Sequence, residues 1–129
     1  MADFRTDWDD SYTTQDDDTI TNGSDLSTEA IDNNGKWGTE VAVTVEYGAI
    51  ANCGVKVYVL RRVDTIIYED ILSDPWGFEM PYDTNITVYR TFFVDGVSVS
   101  AFKVFIQNSS GASVDVIVKT RQLDAIVSS

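Results

Sequence analysis

A chain of 129 residues with 43% apolar and 12% aromatic side chains has the size and composition of a single globular domain with one hydrophobic core. Its 21 acids against 9 bases, a net charge of -12, exclude nonspecific binding to nucleic acid or an anionic membrane, since phosphate recognition needs Lys and Arg. The single cysteine and the absence of histidine exclude an intrachain disulfide, a cysteine zinc site, Ser-His-Asp or Cys-His catalysis and the commonest metal ligand.

The charge is uneven: residues 1–40 hold 11 acids against only Arg5 and Lys36. Residues 1–35 are read as an acidic, mostly extended N-terminal arm, and residues 36–129 as the folded domain. The opening Met-Ala-Asp-Phe-Arg lacks the basic and apolar regions of a signal peptide, so a soluble product synthesised in the cytoplasm is expected. Phe4, Trp8 and Tyr12 are spaced four apart among Asp, Thr and Ser, which are poor helix formers. An arm with three large aromatics is expected to dock, either on its own domain or on a neighbouring subunit. A short strand is expected around Leu26 to Ile31, before the turn signal Asn33-Asn34-Gly35.

The first strong strand is Glu40 to Tyr47, where Val41, Val43, Val45 and Tyr47 alternate with Ala42, Thr44 and Glu46, the period of a sheet with one face on a core. Val55, Val57 and Val59 then alternate with Lys56, Tyr58 and Leu60. A further strand is expected over Thr65 to Glu69, after a turn at Asp64. Between Pro75 and Pro81, Trp76, Phe78 and Met80 share one face of a short edge strand. Asn85 to Val94 is rich in Thr, Val, Tyr and Phe and closes on the turn Asp95-Gly96. Phe102, Val104 and Ile106 define the next strand. Val114, Val116 and Val118 define the last, and the turn Asn108 to Gly111 suggests that these two form a hairpin.

Seven or eight strands with turn signals about every ten residues predict an all-β fold, an antiparallel two-sheet β-sandwich of Ig-like or jelly-roll-like type, with the extended arm in front. The outward positions include Tyr58, Leu60, Phe105 and Ile117, more apolar than solvated faces require. Phe4, Trp8, Tyr12, Tyr58, Phe105 and Ile117 are therefore the candidate assembly residues.

Chemistry is not legible. The 21 acids form many accidental pairs, and no spacing marks one out for glycoside cleavage. The clusters Asp7, Asp9, Asp10 and Asp16, Asp17, Asp18 lack the calcium-loop pattern with its distal Glu. No catalytic residue, metal site or cofactor is expected. Cys53 reads as a small buried residue, and the sequons at Asn22, Asn85 and Asn108 as chance. Trp76 and Phe78, with Tyr82 nearby, could instead form a stacking platform for a sugar ring, as in carbohydrate-binding modules.

The segments EVAVTVEY (Glu40 to Tyr47), VKVYVLR (Val55 to Arg61), Tyr68-Glu69, PWGFEMP (Pro75 to Pro81), Ser100 to Asn108 and Gly111 to Val118 resemble small β-sandwich virion structural proteins of tailed bacteriophages. The resemblance is one of style across about two-thirds of the chain, without a functional motif. It implies a non-enzymatic capsid decoration or cement protein, or another accessory head, neck or tail component. Such a protein would be found in the virion after synthesis in the host cytoplasm, and would assemble with capsid, neck or tail subunits as a homo-oligomer. A glycan-binding module for host attachment is the alternative.

Overall fold

The computed structural model describes residues 3–128, with side chains described for residues 8–124. The chain is all-β: two antiparallel sheets face each other across one core. The first sheet is built from β1 (Asp3–Trp8), β2 (Thr13–Ile20), β5 (Gly38–Tyr47), β8 (Thr87–Asp95) and β10 (Val114–Ser128). The second holds β3 (Asp25–Ser27), β4 (Ile31–Asp32), β6 (Lys56–Arg61), β7 (Gly77–Glu79) and β9 (Ala101–Gln107). Among the described residues a single 3-10 turn, Ile71–Ser73, interrupts the strands.

The order of the first sheet is β1/β2, β10, β5, β8, because β1 and β2 pair in succession along the same edge of β10. That of the second is β3/β4, β9, β6, β7, because β3 and β4 share an edge of β9. Counting each shared edge as one interrupted strand gives eight, arranged as the two interlocked Greek keys of a jelly roll. The alternation read from the sequence defines the core. Val43, Val45 and Tyr47 of β5 face Val118, Val116 and Val114 of β10 in register, and Val57 and Val59 of β6 face Ile106 and Val104 of β9. Tyr47 is buried with its hydroxyl accepting from the Val55 backbone N–H at 3.0 Å, and burial pushes its pKa up.

Four local readings are corrected. The two segments expected to form a hairpin lie in opposite sheets: β9 pairs with β6, and β10 with β5. The crossing is held by the buried Asn108 side chain. Its amide donates to the carbonyls of Ile20 (2.7 Å) and Ala112 (2.8 Å), and its oxygen accepts from the Ser110 N–H and hydroxyl. The strand expected from Leu26 to Ile31 breaks into β3 and β4 at Thr28, whose buried hydroxyl takes the Val104 N–H at 3.0 Å in place of a ladder carbonyl. Thr65 to Glu69 is not a strand. Asp64 and Ile67 close a turn, and the returning residues make one bridge, Arg62 to Tyr68. Cys53 is half-exposed rather than buried, with its thiol against the Ser109 carbonyl.

Residues 3–20, read as an arm, run along the whole of β10 as the edge of the first sheet. An edge strand takes its hydrogen bonds from its neighbour and needs no apolar composition of its own. Deleting residues 1–18 would therefore strip β10 of a partner along one edge. The cost of so acidic an edge falls on Asp16. One of its carboxylate oxygens is buried without a hydrogen-bond partner, and burial first, then the charges of Asp18 and Glu29, raise its pKa above 3.8. A carboxylate whose pKa is raised on folding destabilises the fold while ionised. Asp16→Asn is expected to raise the melting midpoint at neutral pH. That gain should vanish as the pH falls through the raised value towards the ordinary one, which paired thermal melts at neutral and acid pH would check.

Candidate functional site

Three connections meet at one end of the sandwich: residues 33–37, 62–76 and 96–100. The Asn33 N–H donates to the Ser100 carbonyl, the Arg62 N–H to the Ala101 carbonyl and the Gly96 N–H to the Trp37 carbonyl. The longest of them, between β6 and β7, carries Val63, Ile66, Ile67, Ile71 and Leu72, all exposed, with Ile66 at 85% and Leu72 at 90%. Val97 and Trp37 add to the exposed apolar surface of the neighbouring connections.

Apolar residues so exposed would ordinarily mark a slack loop, but this one is fastened at several points. Arg61 makes a two-pronged pair with Glu69, at 3.0 Å and 3.3 Å, and the same carboxylate accepts the Arg61 backbone N–H at 2.9 Å. The hydrogen bond from Arg61 lowers the Glu69 pKa. The Lys103 ammonium sits 4.6 Å from the centre of the Tyr68 ring. Leu60, expected among the outward apolar residues, is buried beside Lys103, its partner across the ladder. Asp70 caps the 3-10 turn by accepting from the Leu72 N–H, and Ser73 completes the capping box. The chain thus holds Ile66, Ile67, Ile71 and Leu72 towards solvent in a defined arrangement. Asp64, Asp70 and Asp74 are interleaved with them.

Beside this end, Trp76, Phe78 and Phe92 form an aromatic cluster where the edge of β7 approaches that of β8. Ring centres lie 5.3–5.5 Å apart, and the Arg90 guanidinium is 4.1 Å from the Phe78 ring centre. The shared face expected of Trp76, Phe78 and Met80 is graded in depth: Met80 is buried, Phe78 half-buried and Trp76 55% exposed. Trp76 also lines a groove of about 240 Å³ with Arg61 and Asp95. Hydrogen bonds from the Ser98 backbone N–H and hydroxyl hold the Asp95 carboxyl below the usual range. Two of the glycan-stacking candidates are thus together. Tyr82 is exposed and makes none of the cluster's ring contacts.

The assembly candidates do not gather on one surface. Trp8 and Tyr12 dock on the outside of the first sheet, where the Arg121 guanidinium lies 4.3 Å from one ring centre and 5.1 Å from the other. Arg121 pairs with Glu40 at 3.3 Å, and the Tyr12 hydroxyl donates to the same carboxylate. That bond raises the Tyr12 pKa. Trp8 meets Phe93 edge-on at 6.2 Å. Tyr58 and Phe105 lie together on the outside of the second sheet, 6.5 Å apart. Tyr58 covers Gly77, where a Cβ would come within 2.5 Å of its ring. Ile117 is on the opposite face, in an acidic hollow of about 380 Å³ lined by Asp17, Asp18, Glu46 and Asp115. The Phe4 side chain lies outside the described residues; its backbone pairs with Val127 in β1. Among the described residues, no three Asp, Glu or Cys side chains gather closely enough to hold a metal ion, and no helix is long and apolar enough to cross a membrane.

The residues missed from the sequence are those of the β6–β7 connection. Their signal was the pair of doublets Ile66-Ile67 and Leu72 after Ile71, each next to an aspartate able to start a turn.

No family model matches the chain, and no curated protein matches it. Solved structures match its fold. VP2 from a subviral particle of infectious bursal disease virus is 12% identical, with a TM-score of 0.54 over 95% of this chain and 32% of that one. The structure of the Gx strain of that virus gives 10% identity and a TM-score of 0.53 over the same shares. This chain spans about a third of the length of each. The C-terminal CBM6 of LamC from Zobellia galactanivorans is 15% identical over 92% of this chain and 98% of that one, with a TM-score of 0.43.

Proposed function

We propose that this chain is a non-enzymatic structural protein of a bacteriophage virion, a capsid decoration or cement protein or another accessory head, neck or tail component, that acts by protein–protein assembly as a homo-oligomer. The observation that carries the reading is the fastened apolar connection between β6 and β7. Side chains held ready in water lose little freedom on docking, so the apolar area they bury is gained at small entropic cost. Interleaved aspartates give the surface a preference for a groove rimmed by Lys or Arg. Jelly rolls recur in viral capsids and in lectins, and the fold shared with VP2 of a virus particle supports the first of these settings.

The test is cosedimentation of the purified chain with particles that lack it. Ile66→Asp combined with Leu72→Asp is expected to weaken binding about a hundredfold or more, as loss of central apolar anchors does. Both side chains face water, so the fold should change by less than about 0.5 kcal/mol. Wild-type binding by this variant would remove the connection from the interface.

The exposed face of Trp76 favours a second reading, a glycan-binding module for host attachment. Trp76 offers a stacking surface beside a groove with one cation and one carboxylate. Binding on a glycan array that disappears in Trp76→Ala, with the fold retained, would promote this reading over the first.

A further inference from the structure

We infer that β8 is a self-association edge, through which two copies of the chain join their first sheets into one continuous antiparallel sheet. The inference rests on the reading of the chain as a homo-oligomer and names the surface responsible. Each sheet of a sandwich has two edges, and natural proteins blunt them with charge, brevity or cover. Three of the four are blunted here. The β2 edge carries Asp16, Asp17 and Asp18, β3 and β4 are three and two residues long, and β7 has three. The fourth, β8, is nine residues long and pairs with β5 on one side, while no other described segment pairs with its far side. Its sequence TVYRTFFVD is β-branched and aromatic, with Arg90 the only charge before Asp95. Tyr89 and Phe93 stand exposed on its outer face, Tyr89 at 73%.

The sequence of β8 is also complementary to itself. A two-fold axis perpendicular to the sheet sets one residue of each copy opposite its own equivalent. With Thr91 on the axis, Tyr89 of each copy faces Phe93 of the other, and Val88 faces Val94. Arg90 then faces Phe92 and Thr87 faces Asp95, so every row is an aromatic, apolar, cation–π or hydrogen-bonding pair of the kind that stabilises neighbouring strands. Centring on Arg90 would set two guanidinium groups against each other. The strand is close to neutral within a chain of net charge -12, so like-charge repulsion between copies is least along this edge. Isologous two-fold contacts are also the commonest way for identical chains to associate.

The experiment is sedimentation velocity on the full chain, joined to cysteine crosslinking in a Cys53→Ser background. The wild type is expected to sediment as a dimer. Tyr89→Lys with Phe93→Lys should sediment as a monomer at the same concentration, its dissociation constant at least tenfold weaker, with the circular dichroism spectrum of a folded β protein retained. Residues opposed across antiparallel strands have Cα atoms about 4.5–5.5 Å apart, within disulfide reach. Thr91→Cys should therefore crosslink to its own copy on mild oxidation. Thr87→Cys should not, because eight residues of offset separate the two copies by roughly 27 Å. A wild type monomeric at every concentration would overturn both the pairing and the homo-oligomer. A dimer that survives the lysine pair, or that crosslinks equally through positions 87 and 91, would overturn the pairing alone.

Discussion

Asn33→Ala is expected to cost about 3–5 kcal/mol of folding stability. Asn33 is fully buried where the connection after β4 passes beneath the β8–β9 turn. Its amide donates to the carbonyls of Val94 and Val99, each at 3.1 Å, and its oxygen accepts from the Thr39 hydroxyl at 2.7 Å. One side chain thus ties the edge strand of one sheet to the chain entering the other. Alanine leaves two carbonyls and a hydroxyl without this partner, each orphaned buried group costing about 1–3 kcal/mol. Against a total of about 5–15 kcal/mol for a domain of this kind, such a loss moves the urea midpoint far without changing its slope. A loss under about 1 kcal/mol would mean that water replaces the amide and that the corner is not held by Asn33.

Phe102→Ala is expected to cost a similar amount, about 3–5 kcal/mol, by a different mechanism. Phe102 is a large side chain with no exposure. It lies on β9, opposite Ile31 of β4 on one side and Arg61 of β6 on the other. Its removal leaves a cavity between two sheets whose hydrogen-bonded frames cannot collapse into it. Phe102→Leu should cost much less, about 1–2 kcal/mol, because most of the volume stays filled. Denaturation of the two variants side by side separates lost volume from lost contacts. Equal losses would show that the ring's shape, rather than its bulk, holds the layers apart.

Strands β5, β6, β9 and the first half of β10 were legible because their alternation is set by one core face, and that signal is local. Their partners were not. The residues from Phe102 to Ile106 and from Val114 to Val118 alternate in the same way whether the chain turns back within a sheet or crosses to the other. The choice lies with Asn108, which looks in sequence like any turn asparagine and acts as a buried bracket to Ile20. The acidic N-terminal residues were read from composition, which decides whether a segment can make a core but not whether a neighbour will lend it hydrogen bonds. The meeting of Trp8 and Tyr12 over Arg121 follows from that same distant pairing. The β6–β7 surface was hidden for the opposite reason: Thr65, Ile66 and Ile67 are strand-forming types, and Asp64 bends them into a turn instead.

The place of β10 between β5 and the N-terminal strands bears on how the molecule comes into being. On the ribosome, β5 has only β8 to pair with, and β1 and β2 have nothing, until residues 114–128 are translated. Contacts so distant along the chain make for slow folding. Half of the sandwich must therefore wait as a nascent chain, and closes only when β10 arrives to be gripped from both sides.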